Sequence, residues 1–277
     1  MVSFWTKEKI IREFQIITSV LGHSPNRAQT PNYLYTAARY YFKTMNKAKL
    51  AAGLSVRTNY NPIKKTAYQK SIEFAYVLGV IYGDGSSNII EDGHGSSGST
   101  TLGVIDEDFA IAFKKAIEEW SGIISHYNTD GHFFYVKLSS VDASRIIEKF
   151  DLKEVLIWDV ILQCAFLRGL FDSDGGITGE NLEPGKRKYA KRWVHLSNSN
   201  PVLIQLTANI FDRLDIRYSI YSRIHSGFGS TKLQYELKIY NFEGILSYYR
   251  NINFSITRKR DLLKKVVESY DLYTRNI

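Results

Sequence analysis

The 277-residue chain contains one cysteine, Cys164. A single thiol excludes an internal disulfide and any multi-cysteine zinc site. Cys164 lies inside an apolar helical pattern and reads as a buried, inert thiol of a reducing compartment. The expected location is intracellular, the cytoplasm or nucleoid, with an organelle as the alternative. Long apolar runs are missing too. The best stretch, 155–171, is broken by Asp159, Gln163 and Arg168, short of the roughly 18 apolar residues a membrane span requires. Residues 1–14 carry charges where a secretory leader would need its apolar core. The six histidines show no metal-ligand spacing. Acids are scarce near the start: residues 1–70 hold 12 Lys/Arg against only Glu8 and Glu13.

That scarcity places a net +10 on the first 70 residues, while the whole chain carries +8. A compact basic block beside a near-neutral body points to a polyanion-binding appendage, with nucleic acid as the expected partner. The block is rich in aromatics (Phe4, Trp5, Phe14, Tyr33, Tyr35, Tyr40, Tyr41, Phe42), so it should fold rather than trail as a solubilising tail. Apolar spacing predicts helices over 6–20, 32–42 and 45–52. Thr6 is a partial cap for the first, because Lys9 stands where a capping box wants an acid. Trp5 is expected in the core. Arg39, Lys43 and Lys47 lie three to four apart and are expected to form one basic face. Residues 54–69 lack an apolar period and read as a linker, with Lys64 and Lys65 as basic contacts.

The body repeats itself. Residues 74–85 read FAYVLGVIYGDG and residues 164–175 read CAFLRGLFDSDG. Asp84 and Asp174 stand 90 positions apart. Around them the pattern predicts, twice, a helix, two strands, a helix, two strands and a helix. The first copy has helices 71–84, 106–121 and 140–150, strands 86–91, 100–105, 123–128 and 132–138, and Gly/Ser-rich turns around 85–99. The second has helices 159–174, 200–214 and 241–251, with strands near 175–180, 189–197, 216–225 and 231–240. A basic helix, 257–272, ends the chain. Antiparallel hairpins with helices on one face give an α+β layer with a bare sheet face. Candidates for that face are Tyr135, Lys137, Arg217, Tyr221, Arg223, Lys232, Tyr235 and Lys238. A basic loop in the second copy adds Lys186, Arg187, Lys188, Lys191 and Arg192. The expected divisions are 1–55, 56–70, 71–152 and 153–277.

Asp-Gly alone is a common turn pair. Here each Asp ends a strongly apolar helix, where a carboxylate is costly unless paired or metal-bound. Each helix also spaces small residues four apart: Gly79 with Gly83, and Gly169 with Ser173. Such residues share a face and let two helices approach closely. Packing the helices on each other would bring Asp84 and Asp174 together, an arrangement suited to metal-assisted chemistry.

The segments VLGVIYGDG (77–85) and LRGLFDSDG (167–175) resemble the two LAGLIDADG motifs of a single-chain homing endonuclease. FWTKEKIIREF, GHSPNR and AARYYFKTMNKAKLAAGL resemble the small helical repeat attached to such enzymes and thought to bind DNA. The resemblance implies an α+β fold of two pseudo-symmetric αββαββα repeats forming a saddle of antiparallel sheets, plus a small all-helical N-terminal domain. It implies a monomeric endonuclease that cuts double-stranded DNA at a long asymmetric site, across the minor groove. Asp84 and Asp174, with the neighbouring Gly83 and Ser173, would form the metal set. Mg2+ is the expected ion, with Mn2+ substituting and Ca2+ supporting binding without cleavage. Asp172 stands at the earlier motif Asp of copy two and Tyr82 at that of copy one, which implies that Asp172 is not an essential ligand. Lys137 and Lys238 are the catalytic candidates on the sheets, ahead of Asp106 and Asn198. The alternative is a non-cleaving binder, such as an RNA splicing maturase acting on intron RNA. No obligate protein partner and no membrane are implied.

Overall fold

The computed structural model describes residues 5–22, 24–54, 62–92, 95–183, 190–227 and 230–274. The chain forms two compact units, Met1–Tyr60 and Asn61–Ile277. Lys186, Arg187 and Lys188 lie outside the described residues. Among the described residues no helix is long and apolar enough to cross a membrane.

The first unit is helical. Helix α1 (Lys7–Leu21) starts on Thr6, whose Oγ1 accepts from the Lys9 amide at 3.2 Å, and stops at Gly22, at φ +70°. Helix α2 (Asn32–Phe42) and the short α3 (Met45–Ala51) follow. Ile10, Phe14, Leu34, Ala38 and Ala48 are fully buried between them. Trp5 packs against this cluster and stacks on Tyr33 at 5.8 Å between ring centroids. Arg39, Lys43 and Lys47, expected to form one basic face, do not lie on one helix. Lys43 adopts φ +69° and breaks the helix, so Arg39 belongs to α2 and Lys47 to α3. The i, i+4 spacing of one helix no longer relates them. All three side chains are exposed.

The second unit opens with a segment that is docked rather than free. Lys65–Tyr68 form a 3-10 turn, Ile63 and Ala67 are buried, and the Trp120 indole donates to Ala67 O at 2.9 Å. Lys64 donates from its amide to Ser121 O at 2.8 Å and from its ammonium to Glu119 O. Its charge therefore sits on the carbonyl end of a helix, where cations are favoured, and Lys65 remains exposed.

Helix α4 (Ile72–Tyr82) leads to β1 (Ser86–Asp92), β2 (Gly95–Val104), α5 (Glu107–Ser121), β3 (His126–Thr129), β4 (Phe134–Ser139) and α6 (Val141–Glu148). Helix α7 (Val160–Asp174) leads to β5 (Gly175–Glu180), β6 (Lys191–Asn198), α8 (Pro201–Arg213), β7 (Ser219–Gly227), β8 (Ser230–Ile239) and α9 (Phe242–Asn251). Helix α10 (Thr257–Thr274) closes the chain. The sheets are antiparallel with matching orders, β1-β2-β4-β3 and β5-β6-β8-β7. This is the expected α+β fold, with one difference: residues 95–99, read as Gly/Ser turn, are the first half of β2 and pair with β1 from Gly95↔Asp92 to Ser99↔Asn88.

Burial alternates along the inner strands and assigns the faces. Val136, Leu138, Leu237 and Ile239 point to the core, whereas Tyr135 and Lys137 are exposed. In antiparallel pairs, directly opposed residues share a face. Tyr221 opposes Glu236 and Arg223 opposes Gln234, on the open side with Lys238. Arg217 is exposed ahead of β7, and Lys232 lies in β8 opposite His225. The open-face candidate Tyr235 and the basic-loop candidate Arg192 point to the other side. Tyr235 shares the parity of Leu237 and packs against the core. Arg192 shares the parity of Val194 and lies under α10, donating to Ser269 Oγ at 2.8 Å with its guanidinium 4.5 Å from the Tyr270 ring centroid. Lys191 does face out, in an ion pair with Glu180 at 2.8 Å.

Candidate active site

The two motif helices pack against each other through their small residues. A Cβ at Gly79 would overlap the Phe166 carbonyl, and one at Gly169 would overlap the Tyr76 carbonyl. One turn further on, a Cβ at Gly83 would overlap Ser173 and come within 3.4 Å of Asp174 Oδ2. Only glycine admits this approach, and the approach is what brings the ends of α4 and α7 together. Asp84 follows the end of α4, and Asp174 is the last residue of α7.

Both acids are desolvated by the protein around them. Burial pushes the Asp174 carboxyl up to about 6, and the Asp84 charge pushes in the same direction, against the Asn198 hydrogen bond and Lys259. Asp84 retains solvent-facing surface, yet the protein around it desolvates its carboxyl and raises its pKa, with the Lys259 charge pulling it partly back. Asn198 Nδ2 donates to Asp174 Oδ2 at 2.6 Å, so Asn198 touches the site directly. Asp106, its counterpart at the end of β2, instead takes both Nε and Nη2 of Arg258, each at 2.7 Å.

Asp172 is a structural residue. It is 1 % exposed, accepts from Tyr76 Oη at 2.9 Å and from the Ser255 amide at 2.9 Å, and burial raises its pKa. With both carboxylate oxygens committed to protein donors, it ties the start of α10 to α7. Tyr82, at the matching place in the first repeat, donates to Phe150 O at 3.4 Å.

Sequence reading missed Lys259. Its ammonium is buried, 7 % exposed, and donates to the carbonyls of Phe171 (3.1 Å), Asp172 (2.6 Å) and Gly175 (2.7 Å). Burial lowers its pKa while the Asp172 charge supports the ammonium form. A cation there satisfies carbonyls at the C-terminal end of α7. A signal was available: Ile256, Lys259, Leu263 and Val266 recur at helical spacing, which puts a lysine on the buried stripe of α10. Asp84, Val104, Asp106, Phe109, Arg258 and Lys259 all line one cleft of about 370 Å³.

The candidates Lys137 and Lys238 stand on equivalent rows. Lys137 opposes Thr101, which opposes Ser86, two residues past Asp84; Lys238 opposes His195, which opposes Gly176, two residues past Asp174. Lys238 is paired with Glu236 at 2.9 Å and faces the Trp193 and Tyr221 rings, while the polar partner of Asp174 is Asn198.

No group of three or more His, Cys, Asp or Glu side chains able to hold a metal is gathered among the described residues. The anionic donors are two carboxylates, both raised by burial, with the neighbouring Gly83 and Ser173 at the helix crossing. This fits a hard divalent cation of the Mg2+ type. Such an ion takes one or two carboxylates and fills its remaining positions with water and phosphate oxygens.

Comparisons with known proteins agree with this architecture. Residues 162–253, from α7 through α9, match the family model of the LAGLIDADG-like domain. The chain is 25% identical over 264 residues to the uncharacterized protein MJ0398 of Methanocaldococcus jannaschii, covering 87% of this chain and 90% of that one. Among solved structures, the homing endonuclease I-DmoI in complex with DNA and Ca superposes with a TM-score of 0.51 at 18% identity, covering 70% of this chain and 97% of that one. Its mesophilic variants give a TM-score of 0.51 at 17% identity, over 65% of this chain and 90% of theirs. The unit therefore has the fold of the LAGLIDADG homing endonucleases.

Proposed function

We propose that this protein is a divalent-metal-dependent endonuclease that cuts both strands of a long, asymmetric DNA site. The observation that carries the reading is the convergence of Asp84 and Asp174 at the ends of two helices packed glycine to carbonyl. Two partly desolvated acids brought together are costly, and a bound cation offsets the cost. Mg2+ is the ion proposed; when bound it polarises the scissile phosphate and helps to generate hydroxide.

The chain's own groups have separable tasks. Asp84 and Asp174 supply the anionic oxygens. Asn198 fixes the orientation of Asp174. Lys259 fixes the end of α7 and adds positive charge to the cleft, which favours an incoming phosphate. Arg258, held by Asp106, stands at the same cleft. The open faces of the two sheets orient the duplex, with Lys137, Lys238, Tyr221 and Arg223 as contacts, and the helical first unit adds affinity without chemistry. Different open-face residues in the two sheets match different half-sites, so one copy of the chain suffices.

The experiment is selection of cleaved sites from a randomised duplex library in Mg2+. Recovery of one long asymmetric site, cut in both strands, supports the reading. Tight duplex binding with no cut in Mg2+ or Mn2+ replaces it with a non-cleaving binder.

A further inference from the structure

The first unit carries an aromatic cleft that the proposed nuclease reaction does not use. Its volume is about 540 Å³, and its lining includes Trp5, Asn32, Tyr33, Thr36 and Tyr40. Tyr33 is 59 % exposed and Tyr40 75 % exposed. Both rings line the same cleft, so they form a patch rather than singly scattered apolar surface. The Trp5 and Tyr33 rings stack nearly parallel, at 17° and 5.8 Å between centroids. Tyr40 stands edge-on to Tyr41 at 5.0 Å.

Cations border this surface. Lys9 places its ammonium 5.6 Å from the Trp5 ring centroid. Arg27 donates to Asn32 Oδ1 at 2.8 Å, and its guanidinium lies 3.9 Å from the Tyr35 ring centroid. The only acids between residues 5 and 54 are Glu8 and Glu13, against eight Lys/Arg. Flat aromatic surface, small polar groups and surrounding positive charge are the three elements of a single-strand binding platform. A cleft suited to an apolar protein segment would lack the charge.

We infer that this cleft takes an unpaired nucleobase of single-stranded DNA. The base stacks in the space between Tyr33 and Tyr40, Asn32 and Thr36 meet its edge, and Arg27 and Lys9 meet the flanking phosphates. The inference is independent of the cleavage reading, because it requires neither Asp84 nor Asp174.

The test uses the full chain and a fluorescent 12-nucleotide oligo-dT, with an abasic sugar-phosphate oligomer of equal charge as the comparison. The expected result is about 30-fold weaker binding of the abasic oligomer, the size of one lost stacking contact. The double variant Tyr33→Leu/Tyr40→Leu should lose oligo-dT affinity by a similar factor while binding the abasic oligomer as before. Both tyrosines are exposed, so the fold should survive; unchanged helical circular dichroism checks this. Equal affinity for oligo-dT and the abasic oligomer, or an unaffected double variant, overturns the inference. Oligo-U bound ten times more tightly than oligo-dT overturns the assignment to DNA.

Discussion

The two halves of the second unit deliver the same acid from the same helix and then treat it differently. In the first half, α4 stops at Tyr82 and Asp84 keeps solvent-facing surface. In the second half, α7 runs through Asp174, which accepts a 2.6 Å hydrogen bond from Asn198. The earlier motif position is Tyr82 in one half and the buried Asp172 in the other. The start of α10 serves the halves differently: Lys259 caps α7 and Asp172 anchors the Ser255 amide in the second, while Arg258 pairs with Asp106 in the first. The backbone crossing is the part held in common. The neighbours of each acid are free to diverge, because they set charge and mobility rather than position.

The common part can be broken from either side, with the largest effects. Gly79→Val and Gly169→Val each drive a side chain into a facing backbone carbonyl, which no rotamer change relieves. Each should destabilise the unit by about 3 kcal/mol, read as a lower urea midpoint. If only one does so, the crossing is not symmetric.

Next in size is the asymmetric part. Lys259→Met removes a charged donor shared by three carbonyls and should cost about 2 kcal/mol, with slower cleavage. Lys137→Met, on an exposed sheet position, should change stability by less than about 0.5 kcal/mol. Equal effects in urea denaturation would remove the role assigned to Lys259.

The acids themselves differ in proton affinity. Asp174 is raised to about 6 in the folded chain, against about 3.9 for an unfolded Asp. The folded state therefore holds the proton more tightly, and this group's contribution to stability is full below pH ~3.9 and is lost as pH rises through ~6. Asp174→Asn should accordingly stabilise the metal-free protein at pH 7.5 by about 1–2 kcal/mol, a value reduced for solvent screening. Calorimetry of wild type and variant across pH 4–8 checks the sign. Cleavage should run the other way, falling as pH drops, because protons compete with the cation for the carboxylate.

The smallest effect concerns the two units. A chain starting at Asn61 should keep cleavage at low salt. If the first unit neutralises about 4 phosphates, the slope of log K against log salt should flatten by roughly 3.6. Starting near Thr66 instead would remove Ile63 and Lys64 from their places on α5 and confuse the comparison. An unchanged slope would show that the first unit does not contact DNA.

Most of the element order was legible from sequence, because apolar period and turn residues are local signals. The helix crossing was legible too, from small residues four apart. What was not legible depended on three-dimensional register or on a single dihedral. Tyr235 turned inward because strand faces follow from pairing, and a one-residue difference exchanges them. Arg192 sat under α10 for the same reason. Arg39, Lys43 and Lys47 are divided between two helices by one positive φ, at Lys43. Lys259 was hidden among the charges of TRKRDLLKK, where only its place on the apolar stripe distinguishes it.

The central claim is that Asp84 and Asp174 form one metal-dependent site for cutting both strands. Its most direct measurement is cleavage of the selected duplex in Mg2+ by wild type, Asp84→Asn and Asp174→Asn, with duplex affinity measured in Ca2+. The expected result is loss of double-strand cleavage in both variants with affinity nearly unchanged. Wild-type cleavage by either variant would contradict the account.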